Sequence, residues 1–192
     1  MHMIVEHSFN QWTQGRSALE ARIHIYEAIR EIPYAVIPEL NDFERYPDIL
    51  RIGKGSCTPK HLLLGDMCQR LGNTVLYAVY PFRWDEAGID FPPGLRRLAR
   101  NLPTSHHLAC RIEIDGRLVL VDATLDSRLR RLGLPVNEDW DGRSDTLLPM
   151  GTCGDEQVYH PSEASSLRAR TDQASLAFYS DLNRWLDEVR GY

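Results

Sequence analysis

An Asp-Gly pair between two apolar segments constrains the fold of this chain more than any other feature of its sequence. Residues 107–114 alternate between apolar and polar side chains, residues 117–121 are strongly apolar, and Asp115-Gly116 separates the two segments. Asp-Gly is a preferred sequence for the two-residue type I′ turn, whose twist matches that of paired antiparallel strands. The sequence therefore predicts a β-hairpin, and with it an antiparallel sheet.

Two segments far from the hairpin have the spacing of amphipathic helices. Residues 17–30 carry apolar side chains at intervals of three and four, and Ser17 with Glu20 fits a capping box at the start of this helix. Residues 172–190 have the same periodicity. The apolar side of this last helix is expected to hold Leu176, Tyr179, Leu182, Leu186 and Val189.

A third helix and a strand are predicted between these segments. Residues 58–71 are typical of a helix with Thr58 as its N-cap and Gly72 at its C-terminal end. Gly65, inside this helix, either weakens it or lets another element pack close to it. Residues 73–82 are rich in β-branched and aromatic side chains, which favours a buried strand.

The remaining segments are predicted to be largely irregular. Residues 34–54 contain two prolines, residues 83–104 form a long connection with a short helix at 94–100, and residues 133–170 contain a short strand at 146–150. Helices followed by an antiparallel sheet and a final helix predict an α+β fold. A length of 192 residues is typical of one domain, which we assign to residues 1–192.

Charge and hydropathy exclude several classes of protein. The net charge of −5 argues against general nucleic-acid binding, which requires a basic surface, and the cluster Arg128, Arg130 and Arg131 is expected to be a solvated face. The sequence contains no run of 18 apolar residues and no apolar segment of a signal peptide near its start, so we expect a cytoplasmic protein that does not cross a membrane.

The four cysteines do not form a metal-binding or redox motif. Cys57, Cys68, Cys110 and Cys153 include no C-x-x-C pair, so we expect free thiols of the kind kept reduced in the cytosol. We expect Cys68 and Cys110 to be buried core thiols.

Cys57 is the thiol best placed for chemistry. It lies in the segment Gly-Lys-Gly-Ser-Cys-Thr-Pro, immediately before a predicted helix. The N-terminus of a helix lowers the pKa of a thiol, and its free N–H groups can hold an oxyanion. Gly53 and Gly55 allow a sharp turn and leave room for a substrate. The alternative is a small buried residue that caps a helix.

His107 and Asp122 are expected to lie near each other at the open end of the hairpin. His107 precedes Asp115 by eight residues, and Asp122 follows Gly116 by six. Opposed or diagonal side chains of paired strands lie within reach of an imidazole and a carboxylate. A Cys nucleophile needs a base, and the base needs an acceptor that orients it. The alternative is two polar residues at an exposed strand end.

Other residues compete for these roles. His106 is the rival base, although it must point to the opposite side of the strand from His107. His61 follows Cys57 by four residues on the same helix, where the geometry for attack is poor, so a structural role is expected. Asp126 is an alternative to Asp122. A metal-dependent hydrolase using His106, His107 and Asp122 is a further, weaker interpretation.

Three short motifs in this order resemble those of the transglutaminase-like superfamily. Gly55-Ser56-Cys57 is similar to the family's Gly-x-Cys at a helix start. Residues 107–112, His-Leu-Ala-Cys-Arg-Ile, are similar to His-Ala-Trp-x-Glu-Val, and residues 121–124, Val-Asp-Ala-Thr, to Val-Asp-Pro-Thr. The segment Cys68-Gln69-Arg70-Leu71-Gly72 is similar to the family's helix-to-strand junction, and the resemblance covers residues 53–126.

The resemblance implies a papain-like core and a covalent mechanism. Cys57 would be the nucleophile, His107 the general base and Asp122 the residue that orients it. The expected activity is thiol-dependent acyl transfer on amide bonds of peptides or proteins, as a cysteine protease, an amidase or a transglutaminase-like enzyme, with hydrolysis favoured over cross-linking. No cofactor or metal is implied.

The chain departs from the family motifs at three positions. Ala109 replaces the tryptophan, Arg111 the glutamate and Ala123 the proline, which bears on the class of substrate. The backbone N–H of Cys57 is the default oxyanion donor, with Trp84 or Tyr46 as side-chain candidates. These departures support an alternative function, an inactive binding or scaffold module with the same fold. The sequence leaves the natural substrate and the oligomeric state open.

Overall fold

A four-stranded antiparallel sheet with helices packed around it forms the structure, a computed structural model that describes residues 3–164 and 172–191. The strands are β1 (Val75–Phe82), β2 (Ser105–Ile114), β3 (Arg117–Val121) and β4 (Gln157–Tyr159), in the spatial order β3-β2-β1-β4. This arrangement confirms the α+β class. The helices are α1 (Met3–Thr13), α2 (Ala18–Arg30), α3 (Ile49–Ile52), α4 (Cys57–Arg70), α5 (Pro93–Ala99), α6 (Pro161–Ala164) and α7 (Gln173–Arg190).

Short 3-10 turns complete the connections. They span Pro38–Leu40, Tyr46–Asp48, Trp84–Glu86 and Ser127–Leu132. Residues 34–54, predicted to be irregular, thus contain two such turns and the single-turn helix α3. None of the helices in the described residues is both long enough and apolar enough to cross a membrane.

The hairpin between β2 and β3 forms as predicted. Asp115 and Gly116 have φ angles of 52° and 77°, and type I′ geometry requires positive values at both positions. The two strands pair from Ile114 opposite Arg117 to Cys110 opposite Val121. β2 continues beyond the end of β3, and this extension, which pairs only with β1, carries His107.

Helix α4 packs across β1 and β2 and forms the main core with them. Leu63 and Met67 of α4 are fully buried against Cys110 and Ile112 of β2. Helix α2 packs against α4, and α1 packs against α2. A second core joins α5 and α7 to the aromatic residues that follow β1, including Trp84 and Phe91. The start of α4 therefore lies beside the open end of the β2–β3 hairpin.

The predicted N-cap was right for α2 and two residues off for α4. Ser17 caps α2, and its backbone N–H donates to Glu20 at 2.9 Å, so the capping box is confirmed. Thr58 as the N-cap of α4 is wrong, because the helical conformation begins at Cys57 and Ser56 is extended. The Ser56 hydroxyl donates to Asn41 at 3.0 Å instead of capping the helix.

Gly65 serves close packing, the second of the two predicted roles. It lies in the middle of α4, and a Cβ there would come within 2.5 Å of the Tyr77 hydroxyl oxygen on β1. Gly72 follows α4 with a φ of 87°, which a left-handed C-terminal cap requires.

The structure differs from the sequence predictions in three further features. The strand predicted at 146–150 does not form: Thr146 makes one ladder-like bond, from its N–H to the Leu120 carbonyl at 2.9 Å, while the actual strand is β4. Helix α1 was not predicted. The apolar side of α7 holds Phe178, Leu182 and Leu186, whereas Leu176 is 40% exposed. Residues 165–170 of the predicted loop lie outside the described residues.

Candidate active site

Backbone hydrogen bonds fix the segment that leads into Cys57. The Gly55 N–H donates to the Pro33 carbonyl and the Ala35 N–H donates to the Gly55 carbonyl, both at 3.1 Å. A Cβ on Gly55 would lie 2.8 Å from Cγ1 of Ile49, so glycine is needed here for close packing rather than for substrate space. Gly53, with a φ of 71°, makes the preceding turn. The loop therefore presents Cys57 in a defined position.

Cys57 is the first residue of α4 and is half-buried. The helix has no side-chain cap, so the backbone N–H groups of its first turn have no side-chain partner. The Leu108 N–H of β2 lies near the Cys57 sulfur and helps to lower the pKa of the thiol. β3 ends opposite Cys110, so it does not pair with Leu108.

His107 and Asp122 form a buried pair. Nε2 of His107 lies 2.5 Å from Oδ2 of Asp122, and both side chains are at most 1% exposed. The other carboxylate oxygen accepts the Thr124 N–H at 3.0 Å, and the Asp122 N–H donates to the Thr146 hydroxyl at 2.8 Å. The register of β2 and β3, extended by one residue, sets Asp122 diagonal to His107, as the hairpin count predicted.

Nδ1 is the imidazole nitrogen left to interact with Cys57. Each of the two side chains shifts the pKa of the other toward its charged form. Nδ1 has no partner within ordinary hydrogen-bond limits, so this contact is looser than the one to Asp122. Catalytic hydrogen bonds are often long without a substrate and tighten when one binds.

The charges of these three groups favour an ionised site. Burial raises the pKa of the Cys57 thiol. The positive charge of His107 and the polar interactions with His107 and Leu108 outweigh the effect of burial, so the pKa lies below its ordinary value. Burial lowers the pKa of His107. The negative charges of Asp122 and Cys57 raise it by more than burial lowers it, and the pKa is about 10. Burial raises the pKa of Asp122, but the charge of His107 brings it below its usual value. The arrangement thus stabilises a thiolate, an imidazolium and a carboxylate.

His61 joins the backbones on both sides of the site. Nδ1 lies 2.9 Å from the Cys57 carbonyl, and Nε2 accepts the Ala123 N–H at 2.9 Å. Since Nε2 accepts, the proton of the neutral ring lies on Nδ1. Burial lowers the pKa of His61 to about 4, so the ring is neutral near pH 7. The expected structural role of His61 agrees with these contacts.

Lys60, which precedes His61, is fully buried and holds the same segment. Its ammonium donates to the carbonyls of Thr124 at 2.7 Å, Ala123 at 3.3 Å and Arg30 at 2.9 Å. Burial lowers its pKa to about 7. Sequence analysis missed this residue, because lysine is almost never fully buried and no local pattern marks the exception.

The rival residues lie elsewhere. His106 is exposed, on the opposite side of β2 from buried His107. Asp126 is paired with Arg190, at 2.6 Å, and also accepts the Tyr34 N–H at 2.9 Å. It therefore braces α7 and does not contact His107.

The two side-chain candidates for an oxyanion donor differ in position. The Tyr46 hydroxyl donates to Asp66 at 2.8 Å, in the middle of α4 and about 13 Å along the helix from Cys57 at 1.5 Å per residue. This position contradicts a role for Tyr46 at the thiol. Trp84 packs against Phe178 and Tyr179 of α7, and its indole N–H is buried without a partner.

Two tyrosines that the sequence did not single out lie beside the thiol. Burial first, and then the negative charge of Cys57, raises the pKa of Tyr34. Burial and the charge of Cys57 also raise the pKa of Tyr179 on α7. Tyr34 forms a β-bridge with Gly55, two residues before Cys57. In the sequence, Tyr34 is marked only by its position after a proline in a predicted loop, which is a weak indication of a functional residue.

The other cysteines differ from Cys57 in environment. All four thiols are free, with Cys68 and Cys110 buried as predicted and Cys153 exposed. Burial raises the pKa of Cys68 to about 12 and that of Cys110 well above its usual value. Cys57 is the cysteine whose pKa is lowered.

The remaining charged clusters do not form a second site. In residues 3–164 and 172–191, no three His, Cys, Asp or Glu side chains are grouped as ligands of a metal ion. Arg128, Arg130 and Arg131 are exposed, and Arg130 pairs with Glu138 at 2.6 Å. This is the solvated face that the sequence predicts.

The chain was compared with known proteins in three ways. No protein-family model, no curated protein and no solved structure matches it. Its function must therefore be inferred from the geometry of its own residues.

Proposed function

We propose that this protein is a thiol-dependent acyl-transfer enzyme that acts on amide bonds of peptides or proteins, with Cys57 as nucleophile, His107 as general acid and base, and Asp122 as the residue that orients His107. The observation that carries the proposal is the buried contact of 2.5 Å between His107 and Asp122, beside a thiol of lowered pKa. A papain-like core of the transglutaminase-like type is part of the proposal.

The first half-reaction follows from the protonation states of the site. The Cys57 thiolate attacks the amide carbonyl carbon, and a tetrahedral oxyanion forms. The His107 imidazolium then gives its Nδ1 proton to the leaving amine as the C–N bond breaks, which leaves a thioester on Cys57. Asp122 fixes the ring through Nε2, so that Nδ1 points toward the sulfur and the leaving group.

The second half-reaction returns the enzyme to its starting state. Neutral His107 takes a proton from water, and the hydroxide attacks the thioester carbonyl. The C–S bond breaks, the acid leaves and the thiolate is restored beside an imidazolium. An amine in place of water would give a transferred acyl group, and we favour water. In this proposal the N–H groups at the uncapped start of α4, including that of Cys57, stabilise the oxyanion in both steps.

The test of the proposal is the pH dependence of alkylation of Cys57 by iodoacetamide, followed by mass spectrometry. Exposed Cys153 provides an internal standard for an ordinary thiol in the same molecule. We expect Cys57 to react near pH 6, where an ordinary free thiol, with a pKa of about 8.5, is scarcely ionised, and to react faster there than Cys153. Replacing His107 with Ala should slow the labelling of Cys57 at pH 6 and leave that of Cys153 unchanged.

Transfer itself is tested with an activated ester. Incubation with p-nitrophenyl acetate should acetylate Cys57 and then release acetate, and the Cys57→Ala variant should show neither step. Equal labelling rates of Cys57 and Cys153 at every pH, with no effect of His107→Ala, would refute the proposal. That result would favour the second candidate, an inactive binding module, which the loose contact of Nδ1 with the thiol already supports.

A further inference from the structure

His61 connects the two chain segments that carry the reacting groups. Its Nδ1–H donates to the carbonyl of Cys57, the residue that carries the thiol. Its Nε2 accepts the N–H of Ala123, the residue that follows Asp122. Both distances are 2.9 Å, and the His61 side chain is fully buried, so water does not compete for either bond.

No other described side chain makes hydrogen bonds to the backbone of both segments. The Tyr26 hydroxyl and Thr146 hold the backbone of Asp122, and Lys60 holds the carbonyls of Ala123 and Thr124. None of these three contacts the backbone of Cys57. Among the described side chains, His61 thus joins the backbone of Cys57 to that of Ala123, while Lys60 on the same helix adds separate bonds from its own ammonium to the carbonyls of Ala123 and Thr124.

We propose that His61 is a positioning residue: it sets the distance of the Cys57 thiol from the His107–Asp122 pair by joining the backbones of residues 57 and 123. The inference rests on the proposed function, because it assigns His61 a role in activating the same thiol. The neutral ring suits this role, since a proton on Nε2 would remove the acceptor for the Ala123 N–H.

The departure from the family motif at residue 123 fits this arrangement. The related motif has proline where this chain has Ala123, and proline carries no N–H. Alanine therefore supplies the donor that His61 needs. The bridge requires both residues, so it can be broken from either side.

Two substitutions separate the two bonds of His61. An Asn amide reaches the position of Nδ1 and can keep the bond to the Cys57 carbonyl, but it is too short to reach Ala123. A Gln amide reaches the position of Nε2 and can accept the Ala123 N–H. His61→Gln is therefore the conservative variant, His61→Asn breaks the bridge at the ring, and Ala123→Pro breaks it at the donor.

The measurement is the rate of alkylation of Cys57 against pH in all three variants, with Cys153 as the internal standard. Thermal unfolding first shows that each variant is folded at the assay temperature. We expect His61→Asn and Ala123→Pro to raise the apparent pKa of Cys57 by about one unit, which slows labelling near pH 6 about tenfold. His61→Gln should retain most of the wild-type rate.

The outcomes distinguish this inference from the proposed function. Alkylation of wild-type Cys57 that is no faster than that of Cys153 at any pH refutes both. An activated wild-type thiol whose pH profile is unchanged in folded His61→Asn or Ala123→Pro overturns the positioning role and leaves the proposed function standing. Equal losses in the Asn and Gln variants also overturn it, because the bond to Ala123 would then have no influence. If His61→Asn does not fold, the comparison of Ala123→Pro with His61→Gln decides.

Discussion

Replacing Gly65 with alanine should destabilise the protein, although the same change in most helices is stabilising. An added Cβ would lie 2.5 Å from the hydroxyl oxygen of Tyr77 and 3.0 Å from its Cζ. Tyr77 is 4% exposed and lies on β1 opposite Cys110, in the middle of the sheet, so its ring has little room to move. Helix α4 would have to shift away from the sheet.

The size of the effect follows from two opposing contributions. Alanine is favoured over glycine within a helix by about 1 kcal/mol. Overpacking a core costs about 1–3 kcal/mol. We expect a net loss of up to about 2 kcal/mol in the free energy of unfolding. Each kcal/mol lowers the melting temperature by about 2–4 °C for a domain of this size.

Urea and thermal unfolding of Gly65→Ala measure this loss, with two comparisons. Gly94→Ala on α5 is the matched control, since an added Cβ there meets no atom within 4 Å and stability should be unchanged or improved. In a Tyr77→Phe background the nearest clashing atom is gone, so Gly65→Ala should cost less than it does in the wild type. A stabilising effect of Gly65→Ala in the wild-type background would refute this account of how α4 packs on the sheet.

Three further predictions concern buried charges. Asp126→Asn should lower the free energy of unfolding by about 3–5 kcal/mol, because it leaves Arg190 charged and buried without its anionic partner; a loss below about 1 kcal/mol in urea unfolding would contradict the importance of this pair. The pKa of Lys60 is about 7 in the folded protein and 10.5 ordinarily. Between these pH values the unfolded chain binds more protons than the folded protein, so the stability of the wild type relative to Lys60→Met should increase as the pH rises from 7 to 9. A difference in stability that does not change with pH would mean that Lys60 does not titrate in this range. Cys57→Ala should lower the pKa of His107, because the negative charge of the thiolate helps to raise it; an NMR titration of the imidazole that is the same in both proteins would rule out the ion pair.

Local chemistry explains what the sequence could predict of this fold. The type I′ turn at Asp115-Gly116 fixes the register of its own strands, and that register in turn brings His107 and Asp122 together. β4 was missed because it is three residues long, it has no alternating pattern, and its partner strand lies about 80 positions earlier in the chain. Short strands of this kind are specified by distant partners rather than by their own residues.

Some residues of the candidate site could be predicted from the sequence, and others could not. Cys57 could be identified because a helix start is visible in the sequence. The contacts of Lys60 and His61 could not, because each joins residues about 60 positions apart. No spacing rule states where a helix side chain will meet the end of a strand. The contacts of Lys60 and His61 depend on the packing of α4 beside the end of β3.

The ion pair of Asp126 with Arg190 has a consequence for the order in which tertiary contacts form during synthesis. Arg190 also donates to the Tyr34 carbonyl, a hydrogen bond that spans 156 positions, and Tyr34 forms a bridge with the glycine that precedes Ser56 and Cys57. A nascent chain cannot make these contacts until residue 190 has left the ribosome. The loop that presents the thiol therefore receives this support only after residue 190 has emerged, later than the sheet residues that carry His107 and Asp122.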